Sequence, residues 1–151
     1  MKQLKYISIL LVFALFNTSC DDKAQMDYIK KNDLKGTWKI TEIGRVNAAN
    51  GIDYEAFKPS ANCGTSIDNI VFNEDLSFVQ NTYGDVADTC EEKSFPGTYA
   101  QANHTLTLVQ TDAQGNHYTT TALITKLEFT NLELNFTDAT NTLVFIKFVK
   151  E

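Results

Sequence analysis

From Leu34 onward, apolar and polar positions alternate with a period of two, and short polar clusters interrupt them at even intervals. An extended chain puts alternate side chains on opposite faces, so this pattern predicts strands. They fall over residues 36–43, 67–72, 76–83, 95–101, 105–111, 117–129, 132–137 and 142–149. In the first, Trp38 and Ile40 share one face while Thr37, Lys39 and Thr41 share the other. Asn73-Glu74-Asp75, Ala102-Asn103-His104, Thr130-Asn131 and Asp138-Ala139-Thr140-Asn141 read as turns, and Asp112-Ala113-Gln114-Gly115-Asn116 as a hairpin loop. Two longer connections remain. Residues 44–65 hold one helical turn at 52–57, stopped by Pro59, and residues 84–93 are acidic and contain Cys90.

Eight strands joined in succession by short loops pair each with the next. Such a meander closes most economically into an all-β, eight-stranded antiparallel up-and-down barrel, which removes the exposed edges. Eleven threonines from Thr105 to Thr142 fit strands with one wetted face. The interior candidates are Trp38, Ile40, Phe72, Phe78, Tyr99, Leu108, Leu123, Phe136 and Phe145, with Ile70, Leu106, Leu134 and Leu143 on the same faces. In the last strand Val144, Ile146 and Phe148 are as apolar as Leu143 and Phe145, so the pattern there admits either phase.

The N-terminal segment follows a different pattern. Lys2 and Lys5 precede an apolar run from Ile7 to Phe16, which ends in Asn17-Thr18-Ser19-Cys20 and turns polar at Asp21-Asp22-Lys23. A membrane-spanning helix needs about 20 apolar residues, so the shorter run reads as the apolar region of a secretion signal. Small residues ahead of a cysteine at this point resemble the lipobox of bacterial lipoproteins, although Asn17 stands where an aliphatic residue is usual. The resemblance implies a signal peptide over residues 1–19, lipid on Cys20, a polar tether over 20–33 and the barrel domain over 34–151. An ordinary signal peptide cut near Ser19 would instead leave Cys20 free. With lipid on Cys20, Cys63 and Cys90 remain as a disulfide pair suited to an oxidising compartment. The place implied is the cell envelope, with the outer membrane as the favoured anchor.

Charge narrows the partners. Thirteen basic residues against nineteen acidic ones give a net charge of −6, and Arg45 is the only arginine. Nucleic acid, which needs clustered positive charge, is excluded as a partner.

The barrel segment also resembles a known family. Leu34-Lys35-Gly36-Thr37-Trp38 matches the Gly-x-Trp that opens the first strand of the lipocalin-like domains of bacterial lipoproteins. Ile70-Val71-Phe72-Asn73-Glu74-Asp75-Leu76-Ser77-Phe78 continues the similarity, as do Gly97-Thr98-Tyr99 with Leu106-Thr107-Leu108, and Ile124-Thr125-Lys126-Leu127 with Leu132-Glu133-Leu134. The last strand has no arginine to pack on Trp38; its cations are Lys147 and Lys150. The resemblance implies a small hydrophobic ligand bound in the barrel or at its mouth, with residues 44–65 as a lid and Ile52, Tyr54 and Phe57 as its apolar lip.

No catalytic set, metal site or cofactor motif is expected. His104 and His117 fall at strand ends without further ligands at metal-binding spacing. The acidic residues around Cys90 lack the spacing of a calcium loop, and no serine has a nucleophile-elbow context. The reading is therefore a binding protein and not an enzyme, the alternative being a packed barrel that docks an envelope protein and holds no ligand.

Overall fold

The computed structural model describes residues 34–112 and 114–151. The expected signal peptide, the expected lipid site Cys20 and the expected tether lie outside the described residues.

The chain forms nine antiparallel strands: β1 (Gly36–Val46), β2 (Ile52–Ala56), β3 (Asn69–Phe72), β4 (Ser77–Val86), β5 (Thr89–Ala102), β6 (Thr105–Thr111), β7 (His117–Leu127), β8 (Asn131–Thr137) and β9 (Leu143–Lys150). Each of β3 to β9 pairs with the next, and β9 pairs back onto β1, so β1 and β3–β9 close an eight-stranded barrel. The ninth strand corrects the expected helical turn at 52–57. β2 forms a hairpin with the upper half of β1, Arg45 facing Asp53 and Glu42 facing Ala56, while the lower half of β1 pairs with β3. Tyr54 sits opposite Gly44, where a Cβ would lie 2.7 Å from its ring, so only glycine accommodates it.

The floor is the end where Leu34, Gly36 and Lys150 meet. Trp38 is fully buried there, its indole N–H donates to the carbonyl of Leu34, and the Lys150 ammonium lies 5.0 Å from its ring centroid. A lysine thus occupies the place for which the last strand has no arginine. Gly36 makes room for it: at φ +121° this position disfavours any side chain, and a Cβ would meet Lys150 Cε at 2.7 Å. Phe72, Phe78, Leu106, Leu127 and Leu132 complete the packing around Trp38.

Two bulges set the phase of the interior. The register shifts between Ile40 and Glu42 in β1, and between Ile124 and Lys126 in β7. The extra residues are Thr41 and Thr125, whose hydroxyls donate to the carbonyls of Lys147 and Glu133 on the neighbouring strands at 3.1 and 3.2 Å. An extra residue moves every later side chain to the opposite face. Ile124 and Leu127 are therefore both buried, and Leu123 points outward, 45% exposed. This corrects the expected inward placement of Leu123. In β9, Val144 and Phe148 are buried and Ile146 packs on the core, which places Leu143 and Phe145 on the outer face.

The expected acidic connection at 84–93 is also a correction. β4 and β5 run through it as a hairpin arm, with Val86 opposite Thr89 across a two-residue turn. Ala87 and Asp88 both adopt positive φ, 48° and 65°, as a type I′ turn requires. β5 pairs with β6 only from Gly97 onward, so its upper half is an edge. Glu91, Glu92, Lys93 and Pro96 lie along that edge, and charges and proline there oppose adventitious pairing.

The turns yield two predictions. Leu76, in the β3–β4 turn, adopts φ 63° while 56% exposed. A branched side chain is strained by about 1–2 kcal/mol in that conformation, and glycine is not. Even after glycine's greater unfolded-state freedom is subtracted, Leu76→Gly is expected to raise the thermal midpoint by a few degrees, read by calorimetry.

Asp75, Asp112 and Asp138 organise three loops. Hydrogen bonds from the side chains of Ser77, Asn116 and Thr140 respectively, joined by backbone N–H donors, hold each carboxyl below the usual carboxylate range. A lowered folded pKa means the carboxylate's stabilisation is present above the unfolded value and disappears as pH falls through the folded one. Thermal scans should therefore show a midpoint that declines from about pH 4 downward, with a shallower decline in Asp138→Asn.

Candidate functional site

Above the floor the barrel is not filled. A cavity of about 190 Å³ lies at mid-height. Its lower wall is apolar, built by Ile40, Ile70, Leu108, Leu134, Ile146 and Phe148, with Ala122 as a small residue that leaves space on β7. Toward the mouth the lining turns polar at Asp68, Gln80, Gln110 and Thr120, beside Phe136. Asn69 and Asn81 also border it, but strand alternation puts their side chains on the outer face, opposite to those of Ile70 and Gln80.

Side-chain hydrogen bonds brace this polar wall on both of its faces, the glutamines inside and the asparagines outside. Gln110 Nε2 donates to Gln80 Oε1 at 2.9 Å. Asn81 Nδ2 donates to Asn69 Oδ1 at 3.0 Å, and Ser94 Oγ donates to Asn81 Oδ1 at 2.8 Å. Gln80 and Gln110 belong to β4 and β6, with β5 between them. Their contact depends on Gly97, which is paired with both Phe78 and Gln110. A Cβ at Gly97 would sit 2.6 Å from the Phe78 ring and 2.3 Å from the Val109 carbonyl oxygen. The missing side chain lets Phe78 fill the floor and leaves the span above it open to the two glutamines.

One stretch of wall is not made by strand pairing. β3 ends at Asn69 and β2 at Ala56, so the upper edge of β4 lacks a strand partner on that side. Residues 57–68, with a short 3-10 turn at Ala61–Cys63, cover it. The Asp68 carboxylate accepts from the Tyr83 N–H at 2.8 Å, Asp85 accepts from the Asn62 N–H at 3.0 Å, and Ser60 Oγ donates to the Tyr83 carbonyl. The Cys63–Cys90 disulfide fastens this segment to the hairpin arm. The pairing is the expected one, but it ties a segment to a strand where two loops were expected.

The sequence-derived candidates divide into four groups. Ile40, Leu108 and Phe136 line the cavity. Trp38, Phe72, Phe78 and Tyr99 form the floor beneath it: Phe72 meets Tyr99 edge-on at 4.9 Å, and Tyr99 Oη donates to the Asn73 carbonyl. Phe57 lines a wide groove beside β2 with Arg45, Asp53 and Lys58, apart from the cavity. Leu123 and Phe145 point outward because of the phase described above. The lip is likewise corrected: Ile52 and Tyr54 stand on β2, and the Lys147 ammonium lies 3.7 Å from the Tyr54 ring centroid while it pairs with Glu42. That hydrogen bond to Glu42 holds Lys147 above the usual lysine range. His104 is half-buried in the turn between β5 and β6, and His117 is exposed at the start of β7.

The polar wall escaped sequence reading entirely. Gln80 and Gln110 each lie two residues along their strand from an inward apolar residue, Phe78 and Leu108, and that alternation was the available signal.

Comparison with known proteins agrees with this architecture. A sequence model described as a lipocalin-like domain matches residues 34–136. No curated protein sequence matches. Among solved structures, a lipocalin-like protein from Bacteroides uniformis superposes with a TM-score of 0.53 at 15% identity, covering 78% of this chain and 98% of that one. An uncharacterised protein from Bacteroides eggerthii gives 0.52 at 13% identity, covering 79% and 100%. With a closed antiparallel barrel on a Gly-x-Trp floor and a family match over most of its length, the chain belongs to the lipocalin-like domain family.

Proposed function

We propose that the protein is a lipid-anchored binding protein of the bacterial cell envelope that holds one compact small molecule inside its barrel. The observation that carries this is the cavity. A barrel packed to its rim, as a pure protein-docking module would be, has no reason to leave about 190 Å³ between an apolar base and a polar wall. Volume sets the ligand class. An apolar cavity of about 150 Å³ accepts benzene, whereas drug-sized ligands occupy roughly 300–1,000 Å³. The occupant is on the scale of a single ring or a short chain. Haem and long acyl chains are too large to be enclosed.

The anchor rests on the lipobox-like residues before Cys20, with the outer membrane as the favoured site. Cys20→Ser should release the protein from the membrane fraction, and persistent anchoring would refute that part of the proposal. Binding is tested separately by calorimetry with benzene, phenol, indole and palmitate. The three compact compounds should bind at one site and palmitate should not. Ala122→Leu, which fills the cavity from β7, should abolish the binding and preserve the fold. Tight palmitate binding with no response to single-ring compounds would overturn the size assignment.

A further inference from the structure

We infer that the Gln80–Gln110 pair is the polar reader of the cavity and selects ligands bearing a neutral hydroxyl group, an alcohol or a phenol. This rests on the small-molecule reading above and adds which end group the cavity recognises.

The chemistry of the wall decides the class. None of the residues lining the cavity is a lysine, arginine or histidine. A carboxylate or phosphate would lose its hydration there and gain no counter-charge, which is unfavourable. The only ionisable lining group is Asp68, an acid, which adds repulsion to that cost. Anions are thereby disfavoured, and the recognised group is neutral.

The amides then specify its hydrogen-bonding character. A glutamine side chain offers two N–H donors and a carbonyl acceptor. The single bond from Gln110 Nε2 to Gln80 Oε1 leaves the Gln80 amide N–H donors and the Gln110 carbonyl oxygen unused by it, on two residues that line the cavity. No buried side-chain nitrogen or oxygen among the described residues lacks a partner, so these unused sites lie where solvent or a ligand reaches them. A donor next to an acceptor matches a group that both accepts and donates, as a hydroxyl does. A hydrocarbon uses neither, and an ether or thioether only the donor. Asn69 and Asn81, by contrast, are tied to each other and onward to Ser94 and the Ile67 carbonyl. They buttress the wall, and the glutamines do the reading.

The test compares toluene, phenol and benzoate by calorimetry on the full oxidised chain and on Gln80→Leu/Gln110→Leu, with Gln110→Met as a milder variant should the double change impair folding. Taking the ratio of phenol to toluene affinity within each protein, and comparing it between proteins, cancels the difference in ligand hydration. In the variants this ratio should fall about tenfold, as expected for loss of one to two neutral hydrogen bonds, with toluene bound at least as well as before. Benzoate should not bind the unaltered chain. An unchanged ratio with both compounds still bound would overturn the reader assignment and leave the cavity reading standing. Failure of toluene and phenol alike to bind the unaltered chain would overturn the cavity reading itself.

Discussion

Trp38→Ala is expected to destabilise the barrel by about 3–5 kcal/mol, the range for removing a large aromatic from a packed core. The side chain is fully buried and donates its N–H to the Leu34 carbonyl. Lys150 lies over its ring, and Phe72, Phe78 and Leu132 pack around it. Alanine would open a cavity in the floor, remove the hydrogen bond that holds Leu34 against the core, and strip the aromatic face from beneath a cation. For a domain of this size the thermal midpoint should fall by roughly 10–20 °C. Leu123→Ala is the control. Its parent side chain is comparably apolar but points outward, so it should shift the midpoint by no more than a degree or two. Equal losses at the two positions would mean that the phase of β7 is misassigned.

The second large effect belongs to the disulfide. Cys63 and Cys90 are 27 residues apart in sequence. Closing a loop of that length stabilises a fold by roughly 3–4 kcal/mol in the chain-entropy model. Cys63→Ala/Cys90→Ala should lose about that much in denaturant unfolding. The consequence should also reach the cavity. The fastened segment ends at Asp68, which lines it, and it covers the upper edge of β4 that strand pairing leaves open. Once released from β5, this segment is held to the upper edge of β4 only by a few hydrogen bonds. Ligand dissociation should accelerate in the double variant more than in Leu76→Gly or Asp138→Asn, which alter loops that do not line the cavity.

The fold was legible in the sequence because period-two alternation and turn residues agree over most of the chain, and Gly-x-Trp marks the floor. Legibility failed where a local feature had no compositional mark. Thr125 is an ordinary strand residue, yet as a bulge it reverses the phase of β7, and counting back by twos from buried Leu127 puts Leu123 inside. Ala87-Asp88 forms a type I′ turn without the Asn-Gly that usually announces one, so the hairpin arm read as an acidic loop. β2 is short and exposed throughout, so its alternation carries no apolar stripe to separate it from a loop. The candidate site was legible only in its apolar half. Its polar half depends on Gly97 bringing β4 and β6 side chains together across β5, a long-range contact that residue order does not encode.

The central claim is that a single compact ligand enters the barrel interior. Methyl-resolved NMR of the oxidised protein, titrated with phenol, tests it most directly. The account predicts saturable shifts at the methyl groups of Ile40, Ile70, Ala122, Leu134 and Ile146, described by one binding site, with Leu123 and Leu143 on the outer face unaffected. Unchanged methyl resonances at those interior positions, or shifts confined to the outer face, would contradict it.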